Sequence, residues 1–169
     1  GKADLAKPEA NVTLRGTVSG EALNGRAVVA TTDGSRALRD LELSLGKNRI
    51  SGSLALDENF VPSGSIDIDV PDIGPLAALA LEEVEGSVRG NVVFDRQNGA
   101  PRARVALNSD SIRRGDLSLR QADIQAVVTD LFGAPGVSGH VRVGELRSGT
   151  TIVSDTDLEL AQDGTWTRF

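Results

Sequence analysis

Asp67, Asp69 and Asp72 form a tight cluster of carboxylates, and clustered carboxylate oxygens are the donor set of a hard cation such as calcium. Asp67 and Asp69 alternate with Ile66, Ile68 and Val70, so both sit on the outward face of one strand. Carboxylates so placed also read as a solvated edge that discourages sheets from aggregating, and that plainer reading is preferred, with no metal site assigned. His140 is the only histidine and falls on the polar side of a strand, between Gly139 and Val141, so a serine-histidine triad would rest on it alone. There is no cysteine, hence no disulfide, thiolate nucleophile or sulfur metal site. Neither a phosphate-cradling glycine loop with its lysine, nor HExxH, nor GxSxG occurs. No catalytic residue and no cofactor are expected, and the chain reads as a non-enzyme.

The pattern that does recur is apolar. An apolar residue, any residue, glycine, any residue and an apolar residue appear together as LRGTV at Leu14, ISGSL at Ile50, VRGNV at Val88 and VSGHV at Val137. Strand side chains alternate faces, so each glycine lies on the apolar face between two aliphatic neighbours. Two explanations stay open: the glycine marks a bend or a close approach of another backbone, or its missing side chain keeps a channel from filling.

The elements that hold these motifs are strands. Period-two alternation runs through Val12 to Val18, Arg26 to Thr31, Leu38 to Leu45, Ile50 to Leu56, Ile66 to Val70 and Val84 to Phe94. It continues through Ala103 to Leu107, Leu117 to Leu119, Ile124 to Val128, Val137 to Val143 and Leu158 to Leu160. Turns are expected at Glu21 to Asn24, at the Asp33-Gly34 hairpin dipeptide, and at Gly46 to Asn48, Pro62 to Gly64 and Asn98 to Pro101. Further turns fall at Arg114 to Asp116, Gly133 to Gly136, Arg147 to Thr150 and Gln162 to Gly164. Ten to twelve short strands at hairpin spacing predict an antiparallel meander.

One helix interrupts it, near residues 73–82: Asp72 or Gly74 can cap it, Pro75 suits its first turn, and Ile73, Leu76, Ala77, Ala80 and Val84 mark one face. The fold class is therefore all-β, an elongated meander curled into a β-groove with an aliphatic interior and one short helix. Residues 1–11 read as a flexible lead-in and 12–169 as a single groove domain, a fragment of a longer chain.

Composition narrows the partners. A net charge of −6 without a basic stripe argues against nucleic acid. The longest apolar run, Pro75 to Leu81, is far short of the roughly 20 residues of a membrane-spanning helix. No secretion signal opens the chain, so export would require one on a longer precursor. The aromatic residues are only Phe60, Phe94, Phe132, Trp166 and Phe169, which weakens a carbohydrate-binding reading and leaves an apolar face almost wholly of Leu, Ile, Val and Ala.

Such a face must be buried against a second layer or against an apolar ligand. An aliphatic trough without hydrogen-bonding groups suits fluid acyl chains, each methylene contributing about 0.8 kcal/mol on burial. The candidate lining is Leu43, Leu45, Ile50, Leu54, Leu56, Ile66, Ile68, Val88, Val92, Phe94, Val105, Leu107, Leu119, Ile124, Val141 and Val143, with Ile73, Leu76 and Ala80 of the helix as its cover. The competing architecture is a closed β-sandwich or solenoid adhesion module with an inert core.

The segments ALRDLELSLGKNRISGSLALD and VEGSVRGNVVFD, joined through DIGPLAALA, together with RRGDLSLRQADIQAVV, resemble the C-terminal region of the TamB family. The likeness covers roughly Leu14 to Leu160 and rests on soft patterns. It implies a periplasmic segment of a protein anchored in the inner membrane and reaching the outer membrane. It also implies phospholipid acyl chains as ligand, an outer-membrane barrel partner of the TamA type, and a role in lipid transport and outer-membrane protein assembly. The family belongs with AsmA-like proteins and bridge-like lipid carriers. This chain lacks the anchor and most of the groove of a full member.

Overall fold

The computed structural model describes residues 8–161; the Gln162 to Gly164 turn, Trp166 and Phe169 lie outside them. The chain forms β1 (Glu9–Val18), β2 (Glu21–Thr32), β3 (Ser35–Leu45), β4 (Asn48–Leu56), β5 (Pro62–Val70), α1 (Gly74–Leu79), β6 (Glu85–Gly86), β7 (Val88–Gln97), β8 (Ala100–Arg114), β9 (Leu117–Thr129), β10 (Gly136–Ser148) and β11 (Thr151–Leu160). All strands belong to one antiparallel sheet in the order β1-β2-β3-β4-β5-β7-β8-β9-β10-β11, with β6 paired to β8 alongside. The sheet is not closed: it is an open meander whose apolar side is the inner face of a curled β-groove.

The turns set the register. Ser19-Gly20, Asp33-Gly34 and Asn98-Gly99 have positive φ at both central residues, the geometry whose twist matches the flanking strands. Gly46, Gly115 and Gly149 instead supply a first central residue with φ near +58°, as their values of +58°, +57° and +59° show. These two-residue links give longer strands than the alternation alone predicts. Glu21 to Asn24 is strand rather than turn, because Ser19-Gly20 already reverses the chain. Likewise β1 begins at Glu9, inside the segment expected to be a lead-in, since Glu9 to Asn11 pair with Val28 to Ala30.

The helix is shorter than the 73–82 expected. Asp72 accepts a hydrogen bond from the Gly74 amide at 3.1 Å, Pro75 occupies the first turn, and Ile73 is the N-cap residue. At the other end the Leu81 amide donates to Ala78 O and the Glu82 amide to Ala77 O, with Leu81 in the left-handed region at φ +59°. That pattern is a Schellman closure with leucine where glycine is usual. Because β5 and β7 are direct neighbours, residues 71–87 form an insertion in a continuous meander.

The recurring glycines are explained by backbone. Gly52, Gly90 and Gly139 have φ of +153°, +146° and +146°, and a Cβ on Gly90 would sit 1.9 Å from the Ala106 carbonyl oxygen. Close approach of the next strand, not an emptied channel, requires glycine there. Gly16, in the fourth copy, has an ordinary φ, and its nearest neighbour would be Leu23 at 3.9 Å.

The opposite face is polar and cross-paired. One line across it runs Arg49, Asp69, Arg89, Asn108, Asp123, Arg142, Asp157, with Arg89 bonded to Asp69 at 3.0 Å. Another contains Arg26 and Glu42 at 2.7 Å. Near the far end Arg102 grips Asp95 through two nitrogens at 2.7 and 2.8 Å, and Arg104 reaches the same carboxylate at 3.0 Å. Hydrogen bonds from Arg102 hold the Asp95 carboxyl below its usual 3.8; burial, the next effect in size, opposes them, and the positive charges of Arg102 and Arg104 add to the lowering.

Two predictions follow from this geometry. Gly90→Ala should lower the urea-unfolding free energy by about 2–3 kcal/mol, the cost of a side chain in that backbone region, while Gly16→Ala leaves it nearly unchanged; equal losses would contradict the close-approach account. Asp95, with its depressed folded pKa, contributes stability that is present above the ordinary carboxylate range and is lost as pH falls through the folded value. Asp95→Asn should therefore flatten the acid limb of a stability-against-pH curve below about pH 4.

Candidate functional site

The register lays the apolar side chains out in rungs that cross the sheet. The central rung has one residue in each of ten strands: Leu14, Gly25, Leu43, Ile50, Ile68, Gly90, Leu107, Ile124, Val141 and Leu158. No polar side chain enters it. The next rung is Leu41, Gly52, Ile66, Val92, Val105, Ala126, Gly139 and Leu160. A third joins Val29, Leu38, Leu54, Gly64, Phe94, Ala103, Val128 and Val137.

Every proposed lining residue except Leu119 falls in these rungs or the ones that border them. Leu56 lies at the outer margin opposite Arg36 and Pro62. Leu45, Val88 and Val143 lie on the helix side, beside Asn48, Val70 and Ala122 respectively. Beyond Val143 the ladder skips a pair at Asp110, Gln121, Gly144 and Asp155, with Gln121 and Asp155 at φ +52° and +50°. That irregularity offsets a three-residue apolar spacing, and Leu119 forms the final rung with Ile112, Leu146 and Val153.

Several members of the face lie outside the proposed lining. Leu38 is three residues from Leu41 because Asp40, at φ +51°, is an extra residue in β3. Leu14 and Leu158 alternate plainly in the sequence and complete the central rung at the two edges. Leu146 and Ile112 are hidden by the step at Gly144 and Asp110.

Most of this face is half-buried, not enclosed. The buried apolar residues among those described are Ala30, Leu45, Val70, Ala77, Ala103, Ala122 and Val143, with Pro101, and only Leu45 is a large side chain with almost no exposure. A closed sandwich of this length would bury many large aliphatics, and among the described residues there is no second sheet to do so. Two surface concavities among the described residues are open and mainly polar, one lined by Arg113, Asp116, Arg120, Glu145 and Arg147 and the other by Arg15, Arg26, Glu42 and Arg49 beside Leu14 and Leu43.

Burial concentrates at the helix end. Asn48 is buried and its Oδ1 accepts the Asp72 amide at 3.0 Å, which ties the start of the insertion to β4. The Ile73 amide donates to Gly86 O at 2.8 Å and closes the insertion on itself. Of the expected cover residues, Ile73 and Leu76 are half-buried but Ala80 is exposed; Ala77 takes the buried position. The difference follows from the helix ending at Leu79, which makes Ala80 its C-cap instead of part of a second buried turn. Ser109 Oγ, in the neighbouring buried band, has no hydrogen-bond partner.

The polar candidates separate. His140 is exposed on the outer face between Gln125 and Glu159. Asp67 faces solvent between Ser51 and Asn91, Asp69 binds Arg89, and Asp72 accepts the Gly74 amide just ahead of the helix, whose N-cap is Ile73. These three carboxylates do not converge.

Searches against protein-family models, curated proteins and solved structures find no match for this chain.

The placement of the helix yields a contrast between neighbours. If the helix covers the trough, Ala77→Asp, which places a carboxylate at the buried position of the helix, should raise binding of an apolar fluorescent dye several-fold in a protein that keeps its β circular dichroism. Ala80→Asp, on an exposed C-cap, should not; equal effects would show that the helix is only a connector.

Proposed function

We propose that this chain is a non-enzymatic β-groove segment that shields lipid acyl chains from water. The observation that carries the reading is the central rung, aliphatic or glycine in every one of ten strands, on a sheet with no second layer among the described residues. A lining without donors or acceptors gives burial energy and little discrimination, which fits fluid chains of varied length better than a polar metabolite.

Taken with the resemblance to the TamB family, the setting would be the periplasm, within a longer protein anchored in the inner membrane. There the groove would carry phospholipid toward the outer membrane and support assembly of outer-membrane proteins, with a TamA-type barrel as partner. An inert structural or adhesion module remains the competing role.

A photo-crosslinking residue at Leu54 or Val92 tests the proposal. It should capture phospholipid from a membrane extract, and native mass spectrometry of the purified chain should show bound lipid. Val92→Arg should stay folded, because an open trough leaves the guanidinium access to water, and should lose the lipid. Absence of lipid by both methods, or global unfolding of Val92→Arg, would favour the inert module.

A further inference from the structure

We propose that the Ser109 hydroxyl is a polar fixing point in the trough and takes the ester carbonyl of an acylated lipid, so that ester-linked chains are held in preference to other apolar chains of the same length. This rests on the lipid reading above and narrows its ligand.

Ser109 follows Leu107 on the inner face of β8, with Asn108 between them on the polar side. It pairs with Ala122, which pairs in turn with Val143, and all three are buried. Ser109 is 8% exposed, and its Oγ is the only buried side-chain nitrogen or oxygen among the described residues without a hydrogen-bond partner. Asn48, the other buried polar residue, uses its Oδ1 to accept the Asp72 amide. A buried hydroxyl left unpaired is destabilising, and alanine, as at Ala122 opposite, would fill the same band without that penalty. An acceptor from outside the chain would satisfy it.

The surroundings decide which acceptor fits. The three apolar rungs beside Ser109 offer no side-chain donor or acceptor, so the ligand is apolar over most of its length. A single neutral donor suits a carbonyl oxygen, whereas a phosphate or carboxylate calls for several donors or a cation. An ester carbonyl joined directly to an aliphatic chain meets both conditions. From Ser109 the inner face of β8 continues through Leu107, Val105 and Ala103, roughly 20 Å of strand along which the chain lies.

The ladder is also interrupted beside Ser109. The β7–β8 pairing ends at Arg89–Asn108 and the β6–β8 pairing starts at Gly86–Ile112, with the Ser87 amide donating to Ser111 O at 3.0 Å between them. Parting of that short seam uncovers Ser109 while the strands on either side stay paired, a local opening of the insertion and not an unfolding of the sheet.

Ester and ether lipids with the same chains separate this site from the groove as a whole. The purified chain is incubated with vesicles of dioleoyl phosphatidylcholine or of its dioleyl ether counterpart, which lacks the carbonyls, and bound lipid is counted by native mass spectrometry. The unmodified chain should retain the ester lipid about three- to tenfold better than the ether lipid. Ser109→Ala should retain both equally at the lower level, and with the unpaired hydroxyl gone its lipid-free form should melt about 2–4 °C higher. Equal retention of the two lipids by the unmodified chain, an ester preference that survives Ser109→Ala, or a melting temperature that is unchanged or lower in that variant would overturn the assignment and leave the groove reading standing. Retention of neither lipid would instead overturn the groove reading, and this assignment with it.

Discussion

The structure depends on one unresolved burial problem. A sheet with an unbroken aliphatic face must hide it, and here a single layer of strands meets only six residues of helix. The solution among the described residues is partial: side chains within a rung cover one another to about half, and the helix end gains the few buried positions. The remaining apolar surface is a standing driving force for ligand or partner, of the kind soluble monomers seldom leave contiguous.

The polar face answers the opposite requirement. Its alternating Arg and Asp lines contribute little stability pair by pair, because exposed ion pairs are worth about 0–1 kcal/mol each. Their value lies in register. A slip of one residue would turn every aliphatic side chain outward and every charge inward, so the two faces enforce the same alignment.

The glycines and the helix belong to this economy of a single layer. Where glycine adopts φ near +146°, adjacent strands approach more closely than any side chain allows, as at Gly90 and Gly139. The insertion between β5 and β7 is pinned by Asn48 and Asp72 at one end of the sheet, and Ala77 is the buried residue of its helix. Leu79 and Leu81 point away and stay exposed.

By itself the sequence determined the all-β meander, the sidedness of each strand and the membership of most of the apolar face. All three follow from local alternation and from turn dipeptides such as Asp33-Gly34, whose conformations are set within a few residues. Tertiary structure decided what depends on neighbouring strands. Glycine in three of the four copies of the motif, at Gly52, Gly90 and Gly139, is explained only by the carbonyl oxygen of the adjacent strand. Leu38, Ile112 and Leu146 join the face only through bulges at Asp40 and at the step through Asp110 and Gly144, which shift the spacing from two to three. Ala77 is buried and Ala80 exposed because the helix closes a turn early. The openness of the sheet was likewise beyond local pattern, since an aliphatic face alternates identically whether it meets a second sheet or none.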